Sequence, residues 1–165
     1  MKYTVVLVIT AASLLLQACN ESPEPTASNK PVPELAKADI VYERKQDMAQ
    51  IARGGKIYQQ SCAECHGTQA EGAPNWHKPG PDGKYPPPAL NGTAHAWHHP
   101  MAALKHTIRE GTQAIGGSMP GWKDQLSEQD VEDVIAWFQA KWPDDLYQAW
   151  ARNDARSRTA MQKEK

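Results

Sequence analysis

Apolar positions gather near the N-terminus, disappear, and then return at helical spacing. After Lys2 comes an apolar run from Val5 to Ile9, with Leu14, Leu15 and Leu16 behind it. The run is shorter than the roughly 20 residues of a bilayer span, and its basic start predicts a secretory signal over residues 1–18. Residues 19–39 hold Pro23, Pro25, Pro31 and Pro33 among Glu, Ser, Thr, Ala and Asn. With almost nothing apolar to bury, they predict an extended tether. A helix is predicted from Met48 to the Cys62 region. Met101, Leu104 and Ile108 form an apolar stripe that begins after Pro100 and ends near Gly111. Val131, Val134, Ile135 and Phe138 form another, with Ser127 as N-cap, Asp130 in the first turn and Pro143 as its end. Leu146, Tyr147 and Trp150 then mark a short amphipathic extension, followed by a basic polar tail with Arg152, Arg156, Arg158, Lys163 and Lys165. The expected division is a domain over 40–143 with the extension and tail over 144–165.

Composition narrows the function. Eighteen Lys and Arg against nineteen Asp and Glu leave a net charge of −1, so no basic excess supports nucleic-acid binding. The 165 residues suit one domain. Six Trp and five Tyr stand against one Phe, and the mean hydropathy of −0.67 is low for a well-filled core. Something besides aliphatic side chains is expected to fill the interior. The signal run ends Leu16-Gln17-Ala18-Cys19, which resembles the lipobox of bacterial lipoproteins. That resemblance implies cleavage before Cys19, acyl chains on its thiol and a membrane anchor on the periplasmic side. An ordinary signal peptide would leave Cys19 a spare thiol.

The central chemistry lies in Cys62-Ala63-Glu64-Cys65-His66, a Cys-x-x-Cys-His pattern of c-type haem attachment. Two thiols one helical turn apart can add to the two vinyl groups on one porphyrin edge, while the adjacent imidazole reaches the iron. A redox dithiol would follow a strand at a helix N-terminus, whereas this motif follows a helical stretch. Zinc would need two more ligands. His95 and His99 offer them only after a gap of twenty-nine residues instead of the usual dozen or so. Export also delivers the chain to a compartment where haem attachment occurs.

From these residues the chain resembles a small class I cytochrome c over about residues 48–143. The resemblance implies an all-α cytochrome c fold, a few helices wrapped around one covalent haem c that itself fills the core. Gly55 and Tyr58 match the family's N-terminal helix, and Trp137 falls where an aromatic packs near that glycine, whose small size lets two helix backbones approach. Pro88-Ala89-Leu90-Asn91-Gly92 resembles the segment whose proline carbonyl accepts the Nδ1–H of the iron-ligating histidine and whose leucine covers the porphyrin. Pro86 and Pro87 precede it, and Pro88 is the expected acceptor.

Among the methionines, Met1 is lost with the signal, Met48 begins a helix, Met161 lies in the polar tail and Met101 belongs to an apolar stripe. Met119 stands in Gly116-Gly117-Ser118-Met119-Pro120-Gly121-Trp122, which resembles the family's ligand loop. Met119 is the expected partner of His66 on the iron, which leaves no open position for catalysis. The expected function is one-electron transfer between redox protein partners in the periplasm or at a membrane surface. Lys78, Lys84 and Lys123 are candidate steering charges.

The stretch from Pro74 to Pro100 departs from a minimal cytochrome c, with a turn-rich insert followed by His95, His98 and His99. These imidazoles could bind copper, making a copper-handling lipoprotein. More simply, they bond to backbone or haem propionates, with Trp76 and Trp97 as covering aromatics. A haem subunit of a redox enzyme, or a sensor, is the other alternative and would need an open iron position.

Overall fold

The computed structural model describes residues 40–163. The signal run, Cys19 and the tether lie outside the described residues, as do Glu164 and Lys165. Among the described residues every regular element is helical: α1 (Met48–Ser61), α2 (Ala63–His66), α3 (Met101–Glu110), α4 (Glu128–Gln139) and α5 (Asp144–Lys163), with single 3₁₀ turns at Ala96–His98 and Gln113–Ile115. This is the expected all-α architecture. None of these helices is long and apolar enough to cross a membrane.

Helices α1 and α4 form the frame. Asp47 caps α1 by accepting from Ala49 N and Gln50 N, and Ser127 and Asp130 form a reciprocal capping box on α4. Tyr58 from α1 and Val131, Val134, Ile135 and Phe138 from α4 are at most 2% exposed. Each such apolar side chain contributes about 1.5–3 kcal/mol relative to an exposed one. The closest approach is at Gly54, one residue before the glycine the sequence singled out. A Cβ on Gly54 would lie 1.8 Å from the Asp133 carbonyl oxygen. Gly55 instead faces the Trp137 indole, which a Cβ would meet at 2.8 Å. Trp137 stacks on Tyr58 with ring centroids 4.1 Å apart. The Asp133 carboxylate, buried in the crossing, accepts from Arg53 Nε at 2.7 Å and Gln129 Nε2 at 2.7 Å.

After α4 the chain turns through residues 140–142, and Pro143 precedes α5 rather than terminating α4 directly. The expected short extension is a 20-residue helix in the same compact unit, with Trp150, Ala151 and Asp154 buried. Three side chains of α5 tie down the loop before α3. Trp150 Nε1 donates to the His99 carbonyl (3.0 Å) and Asn153 Nδ2 to that of His98 (2.8 Å). Asp154 Oδ1 accepts from Met101 N (2.8 Å), filling the capping role that Pro100 has no side chain to perform. The entering segment also runs beside α5, since Tyr42 N and O both bond the Gln148 side-chain amide at 2.8 Å.

Candidate functional site

Cys62 is at once the C-cap of α1 and the N-cap of α2. The turn is tight: Cys65 N and His66 N both donate to Cys62 O, at 3.2 and 2.9 Å. Both cysteines are free thiols. Burial, and then proximity to Cys65, pushes the Cys62 thiol up to about 11, so it is held in the protonated form. Gly67, at φ +79°, stops α2, and its carbonyl accepts the Tyr58 hydroxyl at 2.8 Å.

His66 is buried, and its Nδ1 lies 2.9 Å from the Pro88 carbonyl oxygen. A carbonyl can only accept, so Nδ1 carries the hydrogen and the lone pair sits on Nε2. Burial holds the imidazole below the ordinary histidine range, against the opposing pull of the Pro88 carbonyl. The ring is therefore neutral and able to donate that lone pair. Glycine is required next to this contact. A Cβ on Gly72 (φ +70°) would lie 2.3 Å from Ala89 N and 2.5 Å from the Pro88 carbonyl carbon. The loop is pinned further where Ala73 N donates to Pro87 O (2.8 Å) and Leu90 N to Ala70 O (2.8 Å). Leu90 is half-buried against the core, and its carbonyl accepts from Trp142 Nε1 at 2.7 Å.

Met119 lies in the loop between α3 and α4, half-buried against the same core. Its backbone is clasped by Thr112, a residue the sequence did not flag. Met119 N donates to Thr112 Oγ1 at 3.1 Å, and Thr112 N donates to Met119 O at 2.9 Å. Gly111 at φ +72° turns the chain there, and a Cβ on it would meet Met119 O at 2.5 Å. Met101 is also half-buried against the core, as its place in an apolar stripe predicts.

Two unpaired thiols one turn apart and a neutral, oriented imidazole form a nitrogen and sulfur set that fits haem c. The three loop histidines pack on aromatic neighbours. His95 stacks on Trp76 (4.9 Å) and approaches His99 (5.4 Å), whereas His98 stacks on Trp97 at 3.7 Å. Among the described residues no group of three His, Cys, Asp or Glu side chains could hold a metal ion. Lys123 donates to Glu110 at 2.7 Å and is no free steering charge.

An all-helical domain built on a Cys-x-x-Cys-His turn defines a c-type cytochrome. The family model described as cytochrome c oxidase, cbb3-type, subunit III matches residues 49–138, and the chain belongs to that family. It carries covalently bound haem c and transfers electrons. Among curated proteins it is similar to the cbb3-type cytochrome c oxidase subunit CcoP of Azospirillum sp. (strain B510), 30% identical over 91 residues. The match covers 55% of this chain and 28% of that protein, so the chain spans well under a third of that relative's length. No solved structure matches the chain.

Proposed function

We propose that Cys62 and Cys65 would hold the haem through thioethers, that His66 Nε2 and Met119 Sδ would ligate its iron, and that the chain passes single electrons between membrane-associated redox partners on the periplasmic side. The observation that carries this reading is the 2.9 Å contact between His66 Nδ1 and the Pro88 carbonyl, which fixes the tautomer and aims the Nε2 lone pair. When bound, the haem supplies the one-electron iron couple. The protein's part is to hold that couple rigid, so that little rearranges when an electron arrives. Thr112 and Gly111 keep the Met119 backbone in one conformation, and a thioether, being a soft ligand, favours ferrous iron and raises the potential. Leu90, half-buried beside Pro88, would cover the porphyrin. With His66 and Met119 both holding the iron, the haem would supply electron transfer rather than substrate binding, and exposed Cys65 would mark the side open to a partner.

The relative is named as an oxidase subunit, and delivery of electrons to a membrane oxidase is the route we propose. Cys19 is the acylated residue that keeps the domain at the membrane, and a docking surface for such a carrier is small and transient. The test is spectroscopic. A pyridine haemochrome assay should report haem c, and the intact protein should be low-spin with the weak far-red band of a methionine–iron bond. Met119→Ala should keep the haem and lose that band. A high-spin wild-type spectrum would overturn the ligand pair. Co-purification with an oxidase from native membranes tests the route, and palmitate labelling lost in Cys19→Ala tests the anchor.

A further inference from the structure

The chain has six arginines, all within the described residues. Four are matched to carboxylates: Arg44 to Asp144, Arg53 to Asp133, Arg109 to Glu128 and Arg158 to Asp154. The two with no carboxylate partner among the described residues, Arg152 and Arg156, stand one turn apart on α5, where Cβ atoms are about 5–6 Å apart. They line one concave pocket of about 310 Å³, together with Trp97, His98, Ala149 and Asn153. Like charges at this spacing repel, and an anion held between them relieves that repulsion.

The walls of this pocket are already fixed. Asn153 holds the His98 carbonyl, Trp150 holds the next one, and the Trp97 and His98 rings stack at 3.7 Å. Asp154, the acidic residue closest in sequence, points to the opposite side of α5, where it is occupied by Met101 N and Arg158. Asp145 shares the arginine face but lies about two turns from Arg152.

We propose that Arg152, Arg156 and His98 form a binding site for a phosphate group. Two guanidinium forks present paired N–H donors that match phosphate oxygens, and their combined charge suits an ion more highly charged than a single carboxylate. The His98 ring can add an N–H donor. The indole of Trp97 and the methyl of Ala149 give one wall an apolar surface for the organic part of a phosphodiester. The volume lies at the lower end of the roughly 300–1,000 Å³ of small-molecule sites, more than a bare ion needs.

Free phosphate and phospholipid headgroups share this chemistry, and two measurements on the haem-loaded protein separate them. One is calorimetric titration with inorganic phosphate. The other is co-sedimentation with phosphatidylglycerol vesicles against phosphatidylcholine vesicles, in which the neutral lipid accounts for any acyl anchor. Binding in either arm should weaken by roughly tenfold or more in Arg152→Gln and Arg156→Gln, as loss of a charge-assisted contact implies. It should also weaken with added salt and persist in Arg158→Gln, whose charge is engaged by Asp154. Binding in the phosphate arm identifies a site open to the free ion, and binding only to the anionic vesicles identifies a headgroup site. Absence of binding in both arms overturns the proposal, as does an equal loss in Arg158→Gln, which would indicate diffuse charge. An unchanged haem spectrum in each variant certifies that the fold is intact.

Discussion

The Cys62–His66 turn and the Met119 loop are secured by different means. The first packs three functional side chains into five residues, shares its backbone with the end of α1, and is closed by a carbonyl from one neighbouring loop. The second carries one proposed haem ligand on a stretch without regular structure beyond a single 3₁₀ turn, held by four hydrogen bonds to Thr112, two of them with Met119, and by glycines where a Cβ has no room. The turn depends on the core, because displacing it means disturbing buried Tyr58 and the α1–α4 crossing. The loop depends on polar contacts of its own backbone, so under the ligation proposed above it is the side from which the iron would be exposed at lower energetic cost.

The largest effect should follow from removing both thiols. Cys62→Ala with Cys65→Ala is expected to abolish covalent haem, read as haem lost from the chain on a denaturing gel. Next comes the frame that supports the turn. Gly54→Ala places a Cβ 1.8 Å from the Asp133 carbonyl and should destabilise by at least about 1–3 kcal/mol in denaturant unfolding, since two helix backbones must separate. The loop should respond more mildly. Thr112→Val keeps the shape but removes the acceptor for Met119 N, a loss of about 1 kcal/mol, or roughly fivefold. Titration with exogenous imidazole should show Met119 displaced more readily by that factor, with the unfolding free energy lowered by no more than about the same 1 kcal/mol. Equal sensitivity of unfolding to Gly54→Ala and Thr112→Val would erase the distinction between the two regions.

The smallest effect is acid sensitivity at the helix crossing. Burial pushes the Asp133 carboxyl up, but hydrogen bonds from Arg53, Gln129 and Gln50 outweigh it and leave the group below its ordinary value. A depressed folded pKa adds stability that is fully present above the unfolded value of about 4 and is lost as pH falls through the folded one. Thermal melts should therefore decline below about pH 4, and Asp133→Asn should flatten that part of the profile while lowering stability at neutral pH.

The Cys62–His66 turn was legible from sequence because its chemistry is local, each residue a fixed few positions from the next. The α4 stripe was legible for the same reason, since Val131, Val134, Ile135 and Phe138 repeat with the helix and are buried together. Neighbouring residues of one type were harder to separate. Spacing could not tell Gly54 from Gly55, since the choice depends on which one faces α4. The long-range polar ties left no local mark. Thr112 precedes Met119 by seven positions in an irregular loop, and Asp154 meets Met101 across 53 residues. In the helical pattern Asp154 looks like one more solvated acid of a polar terminus, and its burial follows from how α5 docks.

That docking makes the C-terminal helix a brace for the rest of the chain. A stop placed after Pro143 would remove at one stroke the cap on α3 and the supports beneath the carbonyls of residues 98 and 99. Because α3 leads straight into the Met119 loop, clipping the tail would be felt at the proposed iron ligand, far along the chain from the cut.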